Sequence, residues 1–539
     1  MRITAILLVL APASSAQFLP EPLILEGDSV PSVGLVTSVN NLAVNDSGTW
    51  IVEVDTDGPV DDDSALIANG VLYLQEGMPI LDTEISSFDT VNLNNSGFSG
   101  WNLFLEGPTS DLDSGVFGQP GGLLIRESDV SAAPEFGVGT TYVGFLECKV
   151  THAGDVLVMA SVDDPDVPTG VDRALVWLDI DQGAGTVTES VVVAEGDVLP
   201  GQTEAVADLE NGPHNFDAND AGDVIFIADL TGDASVDHAV YVNSTLIAQE
   251  GSIESGTGRA WLTLASAECA LNASGDWVLS GTLAGDTDSN LVIVSSAGVV
   301  AQESDSLAAI APHRLTSFGS GPVLLDDGGD VLWYGDWDDP DTDVDTGLFL
   351  NDELIVQEGV TMVGDRVIDT LRGIQDGYTM SDSGRFIVFE AILDDGTEGA
   401  FRIDRGGAAL AMPGCSANPG GLAQSGGTTQ LGGTLELLLD GGPAGSSAAA
   451  LFFAASPVAG WPECGVDVPG FGEILISFTP PNPLVTVIGG GGSSVPFSLP
   501  LPADPSLVGV HLFTQGLFVE PVDQFTMSTG LELILGELL

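Results

Sequence analysis

One turn pattern recurs seven times along the chain, and it limits the fold more than any other feature. A polar residue, two further residues and a glycine precede an apolar run at Asn45–Gly48, Asn94–Gly97, Thr151–Gly154, Asn219–Gly222, Asn272–Gly275, Asp326–Gly329 and Ser381–Gly384. The glycines are 49 to 68 residues apart, and four residues past each stands an apolar side chain: Val52, Trp101, Val158, Phe226, Leu279, Trp333, Val388. A second pattern, an apolar strand closed by glutamate and a small residue, also occurs seven times. It reads Glu26-Gly27, Glu76-Gly77, Glu127-Ser128, Glu195-Gly196, Glu250-Gly251, Glu303-Ser304 and Glu358-Gly359, half a period out of phase with the first. Self-similarity at about 50 residues means stacked or closed supersecondary units.

Each period has room for four short antiparallel strands. In the fourth they are expected at Asn215–Ala218, Val224–Leu230, His238–Val242 and Thr245–Gln249, with Asn and Gly turns that tolerate φ > 0. This predicts an all-β fold: a seven-bladed β-propeller, followed by a small antiparallel β-sandwich. An open solenoid is the rival. Closure is favoured because the strand Pro22–Glu26 precedes the first turn and can complete the last blade. Ala408–Met412 competes for that edge but lacks the Glu-Gly ending. The repeats resemble those of secreted bacterial tandem-repeat proteins with an Asn-x-x-Gly-x-x-x-Phe signature, over roughly residues 22 to 412. The resemblance implies a repeat β-architecture and export. It implies no reaction.

Beyond Pro413 the pattern ends. Residues 415–539 are poor in charge and rich in Gly, Pro and alternating apolar runs such as Thr434–Leu439, which predicts the β-sandwich. Leu499-Pro500-Leu501-Pro502, Gln515-Gly516 and Ser528–Leu531 resemble a terminal β-module of exported bacterial proteins. At the other end, Arg2, an apolar stretch from Ala5 to Ala11 and Ser14-Ser15-Ala16 form a secretory-signal pattern. The expected organisation is a signal peptide at 1–16, a propeller at 17–412 and a sandwich at 413–539, in an extracellular protein. In that oxidising compartment Cys415 and Cys464 are expected to form a disulfide, while Cys148 and Cys269 occupy core positions in the repeats.

Charge excludes partners. Eleven basic against 79 acidic residues give −68, and Lys149 is the only lysine. Such a chain repels nucleic-acid backbones and anionic membrane surfaces, and no later apolar run is long enough to span a bilayer. Acidic loops and the seven strand-closing glutamates are expected on one face, where hard carboxylate oxygens suit calcium. The best single site is Asp341-x-Asp343-x-Asp345, against the simpler reading of a solvated acidic face. Cations cluster in the connections before the later turns. Arg259, His313, Arg314 and Arg372 form a candidate anion or uronate site, against simple pairing with neighbouring acids. No Ser-His-Asp, His-x-x-x-His or phosphate-loop pattern is present. The primary expectation is a secreted, non-catalytic binding or scaffold protein with an unidentified extracellular ligand or surface glycan. The alternative is a polysaccharide-directed hydrolase or lyase at the propeller mouth. An enzyme should gather non-repeating polar residues at one channel mouth; a scaffold should show only the repeating ones.

Overall fold

A computed structural model describes residues 20–538 apart from 108, 111, 120–121, 152, 168–171, 182, 407, 413–414, 416–417, 419, 444, 459–464, 469–471, 478–484, 504–506, 508–509 and 521–524. The expected signal peptide lies outside these residues. The described chain is all-β, with only two single-turn 3-10 helices, Thr287–Ser289 and Ala308–Ile310.

The repeated residues explain the local geometry. All seven turn glycines have positive φ, between 71° and 93°. The small residue after each strand-closing glutamate also has positive φ, 65° at Ser128 and up to 88° at Gly196. Both places require the left-handed conformation that glycine adopts at least cost. The turn asparagine does two jobs. Asn45 Oδ1 accepts hydrogen bonds from the Ser47 and Thr49 amides, at 3.1 and 3.0 Å, closing its own turn. Its Nδ2 donates to the Asn94 carbonyl of the next repeat, at 3.0 Å.

That link passes from repeat to repeat. Asn94 Nδ2 donates to the Thr151 carbonyl, Asn219 Nδ2 to Asn272 and Asn272 Nδ2 to Asp326. Where the asparagine is replaced, a backbone amide inside the turn makes the link instead. The Ala153 amide donates to Asp220 Oδ1 and the Asp327 amide to the Asp382 carbonyl. The Ser383 amide donates to Asp46 Oδ1 at 2.8 Å, which joins the seventh turn to the first.

Seven antiparallel sheets follow one another between Glu21 and Asp404. The third is the simplest, with strands Thr141–Val150, Val156–Asp163, Asp172–Asp181 and Thr186–Ala194 in sequence order. In the seventh, Glu21–Leu25 pairs antiparallel with Glu398–Asp404, so the N-terminal strand supplies its outer edge. Ala408–Met412 instead pairs with Phe525–Ile534. The apolar residues four past each glycine are all buried, and neighbouring sheets share cores. Leu157, Met159 and Leu175 of the third, for example, pack with Phe216, Phe226 and Tyr241 of the fourth. Each such side chain contributes about 1.5–3 kcal/mol relative to exposure.

The innermost strand departs from expectation. In the first three sheets it is one long, bulged strand, as in Gly34–Val44 and Thr83–Leu93. In the fourth it is split into Val206–Leu209 and Phe216–Ala218, so the expected strand at Asn215–Ala218 is only its second half. Gly212-Pro213 lies in the break, and Gly373 and Gly377 border the corresponding break in the seventh. Proline lacks the donor a ladder needs, and the segment leaves the sheet.

The chain divides into two compact units, Leu19–Asp404 and Arg405–Leu539, so the boundary falls eight residues before the expected 412. The second unit holds a five-stranded sheet, Ala408–Met412, Phe525–Ile534, His511–Val519, Ala448–Ala454 and Val485–Gly489. It also holds a three-stranded sheet, Gly421–Gly427, Thr434–Asp440 and Ser494–Pro500. Leu435, Leu437 and Leu439 alternate inward and share a core with Leu451 and Phe518.

Candidate functional site

Residues on an inner strand alternate in direction, so those flanking the core-facing position face away from the sheet's packed interior. The core-facing residues are Leu42, Cys148, Phe216, Cys269 and Tyr378 in five repeats. Their flanks are Asn41, Glu147, Lys149, Asp217 and Glu268. All seven repeats line one cavity of 220 Å³, with Asn41, Thr90, Asn92, Lys149, Asp217 and Asp376 among its polar walls.

The broken inner strands bring further groups there. His214 Nε2 lies 3.1 Å from the Gln375 carbonyl, a bond from the fourth sheet to the non-adjacent seventh, across the cavity. The carbonyl accepts, so Nε2 carries the proton. Burial holds His214 well below the usual histidine range, and Lys149 adds to this, so the ring is neutral. Gln375 also hydrogen-bonds Glu268 of the fifth sheet.

The carboxyl groups around this point are displaced upward. Burial pushes Glu147 to about 9, with the Asp89 charge adding and Lys149 opposing. Burial raises Glu53 and Glu268 to about 7 and Asp89 to about 6. Asp376 and Asp217 are also raised by burial, and Lys149 opposes both shifts. Asp376 repels each of Glu53, Asp89, Glu147 and Glu268, so it sits at the electrostatic centre of the group. Glu53 is satisfied by Asn41 at 2.6 Å and Ser64 at 3.0 Å, and Asp89 by Asn102 at 2.8 Å. Glu147 is 8% exposed, and its Oε2 is buried with no hydrogen-bond partner. Arginine and histidine make all the ion pairs among the described residues; the sole lysine makes none.

A model for a protein family of unknown function, DUF7453, matches residues 21–245 and 180–424. The chain belongs to this family. No curated protein matches the chain in sequence. Among solved structures, the polysaccharide lyase Uly1 is similar at 8% identity over 72% of this chain and 98% of that one, with a TM-score of 0.33. An engineered GH43 glycoside hydrolase with endo-xylanase and exo-arabinofuranosidase activity is similar at 10% identity over 85% and 95%, with a TM-score of 0.21. At these scores neither likeness bears on the site.

The residues expected from sequence lie elsewhere. Arg259 donates to the carbonyls of Ala284, Ser289 and Asp286, holding a loop of its own sheet. His313 pairs with Asp338 and Asp339, and Arg314 donates to the Ser304 carbonyl at 2.7 Å. Arg372 pairs with Glu390 at 2.9 Å and Glu398 at 3.1 Å. None of the four lines the cavity, so the structure does not assemble them into one site. Each folds back onto a nearby loop because acids and carbonyls are its nearest partners.

Asp341, Asp343 and Asp345 lie on one loop, the first two exposed. Asp341 accepts the Asp343 amide at 3.4 Å, a turn contact. Their oxygens do not gather as a ligand set; among the described residues the one such trio is Asp229, Asp237 and His238. The strand-closing glutamates are not a free acidic face either. Glu195 accepts the Arg173 amide at 2.9 Å, Glu303 the Asn290 amide at 2.9 Å and Glu127 the Asp113 amide at 3.1 Å. These three clamp the start of the neighbouring strand.

Cys148 and Cys269 are free and buried. Cys415 is disulfide-bonded, while Cys464 lies outside the described residues. Glu473 Oε1 accepts both the Cys415 amide at 3.1 Å and the Gly465 amide at 2.6 Å, which brings the chain next to position 464 beside Cys415. No helix among the described residues is long and apolar enough to cross a membrane.

Sequence reasoning missed the cavity residues. The available signal was polar character beside a core position: the only lysine stands next to Cys148, and Glu268 next to Cys269.

Proposed function

We propose that this chain is an exported seven-bladed β-propeller with a terminal β-sandwich, and that it binds a small polar ligand in its central channel. The observation that carries the reading is the convergence of non-repeating polar residues from five of the seven repeats on one cavity. Repeating residues are consumed by turns and clamps. Lys149, His214, Asp217, Gln375 and Asp376 do not repeat, and they line the same 220 Å³. That volume is below the ~300–1,000 Å³ of sites for drug-sized molecules, which points to a ligand of the size of one sugar or one amino acid. An ammonium, a primary amide and carboxyl groups offer both donors and acceptors, which suits hydroxylated or zwitterionic ligands. Export is supported by the leader pattern at 1–16 and by the resemblance of the repeats to secreted bacterial proteins. Calcium is retained as a proposed stabiliser of the loop Asp341–Asp345, which would have to close to coordinate it.

The test is a thermal-shift screen of the mature protein against neutral, amino and acidic monosaccharides and the amino acids, followed by calorimetry. A hit whose affinity falls at least tenfold in Lys149→Met supports the channel. Binding that this substitution leaves unchanged refutes it. A second reading, a polysaccharide-directed hydrolase or lyase, is favoured by Glu268, held near 7 within the field of Lys149, the range for acid–base work. The His214–Gln375 bond across the cavity opposes passage of a polymer. Release of reducing ends or unsaturated products from a glycan panel, lost in Asp376→Asn, would establish that reading instead.

A further inference from the structure

The fourth sheet differs from its neighbours at one edge. The residue that opens its third strand is His238, where the equivalent positions hold Ser64, Ser114, Arg173, Leu291, Thr346 and Glu398. In the third and fifth sheets the strand-closing glutamate accepts the amide at that position, Glu195 from Arg173 and Glu303 from Leu291. Here Glu250 does not. Its Oε1 accepts the Leu264 amide at 2.9 Å and faces His238 Nδ1 at 3.5 Å.

Three strand ends and the strand preceding them meet at this imidazole. Asp229 lies near the end of Val224–Leu230, Asp237 and His238 open His238–Val242, Glu250 follows Thr245–Gln249 and Glu210 follows Val206–Leu209. Nδ1 is 3.1 Å from Asp237 Oδ1, and ligand atoms of Asp229, Asp237 and His238 all lie within 4.8 Å of one another. Ligands held about 2.0–2.1 Å from a tetrahedral ion stand roughly 3.3 Å apart, close to the 3.1 and 3.5 Å spacings around Nδ1. On the far side of the ring, Nε2 meets Glu210 Oε1 at 3.1 Å. A carboxylate on the outer nitrogen fixes the tautomer and turns the other nitrogen toward a metal, the usual support of a histidine ligand. The group is sheltered: Glu250 is 4% exposed and His238 15% at the side chain. The four carboxylates there share one imidazole as their cationic partner.

We propose that His238, Asp237 and Asp229 form a divalent-metal site of the zinc class, with a solvent ligand completing four-coordination and Glu210 orienting the histidine, that pins the strand ends of the fourth sheet. The imidazole ligand selects zinc-like ions over calcium and magnesium. The ion takes Nδ1 in place of a proton, which passes to solvent. This site is separate from the central cavity and stands or falls independently of the ligand reading.

The test uses the whole mature protein stripped with chelator, then equilibrium dialysis against micromolar zinc with metal counted by mass spectrometry. Carboxylates elsewhere bind zinc loosely, so the readout is a difference. Wild type should hold one equivalent more than His238→Gln and Asp237→Asn, and a hundredfold excess of calcium or magnesium should not displace it. Cobalt(II) on wild type should give the strong visible absorption of a four-coordinate ion, which decides the matter even if a variant fails to fold. Equal zinc content in wild type and His238→Gln, or a weak six-coordinate cobalt spectrum, overturns the proposal.

Discussion

The turn ring and the cavity it surrounds are built from the same inner strands, yet they use their polar residues in opposite ways. In the ring, every polar group is spent: Asn272 Oδ1 accepts two amides at 3.0 and 2.9 Å while its Nδ2 donates to Asp326 at 3.1 Å. A few residues away, Glu147 keeps a buried oxygen without a hydrogen bond and Lys149 has no ion pair. Residues that repeat stabilise the architecture. Residues that do not repeat, and that remain unsatisfied, are available to a ligand. The difference is energetic, because a buried polar group without a partner costs about 1–3 kcal/mol and persists only where something offsets it.

The sharpest way to break this contrast is to remove a ring residue. Asn272→Ala abolishes three hydrogen bonds at a site 3% exposed, and should cost about 3–5 kcal/mol in urea unfolding. A loss below about 1 kcal/mol would mean the turns are not what ties repeat to repeat.

The same contrast accounts for what could be read in advance. The glycine pattern was visible because each copy meets one geometric demand, a left-handed φ, seven times over, and the glutamate pattern because several copies claim an orphan amide. The split of the inner strands was not visible, because Gly212-Pro213 and the Gly373–Gly377 stretch read as ordinary loops. Only folding shows that His214 and Gln375 leave their sheets and meet. The acidic face was over-read: glutamates such as Glu195 and Glu303 look exposed at a strand end, but backbone amides claim them. The arginines were over-read for the same reason, since in a chain of −68 any cation finds a carboxylate or carbonyl first.

The second unit offers the next effect. We propose that Cys415 is bridged to Cys464, and closing that loop contributes roughly 3–4 kcal/mol in the chain-entropy model. Cys415→Ser should lower the melting of Arg405–Leu539 and leave that of the repeat unit unchanged. Peptide mapping without reductant should find Cys415 linked to Cys464, and a Cys148–Cys269 bridge would contradict the buried free thiols.

A smaller effect, of the opposite sign to the ring substitution, is expected beside the cavity. Glu147 titrates near 4.5 in the unfolded chain and is pushed to about 9 by burial in the folded one. Between those values the unfolded state releases the proton while the folded state keeps it, so stability is full below about pH 4.5 and falls as pH rises toward 9. Glu53 and Glu268, at about 7, add to the decline in the lower part of the window. Glu147→Gln keeps the shape and removes the charge. It should raise the melting temperature at pH 8 by about 2–4 °C and leave it unchanged at pH 4.5. An equal effect at both pH values would assign Glu147 to packing rather than to the electrostatics of the site.

The smallest effect concerns the exposed loop that carries Asp341, Asp343 and Asp345. The loop bears charge but is not gathered as a ligand set, so an ion must work to close it, and the gain is small. Salt alone relieves repulsion at a Debye length of about 8 Å at physiological strength and about 3 Å at 1 M, raising the melting temperature smoothly with any cation. A bound calcium follows mass action instead, contributing about 2.7 kcal/mol only when its concentration reaches a hundred times the dissociation constant. At millimolar calcium a weak loop site should therefore add about 1–2 °C beyond an equal ionic strength of magnesium. That increment should disappear when the three aspartates become asparagine. If calcium and magnesium act alike, and the triple variant responds as wild type does, the loop serves solvation alone. The contrast between spent and unspent residues would then rest on the cavity and the histidine cluster.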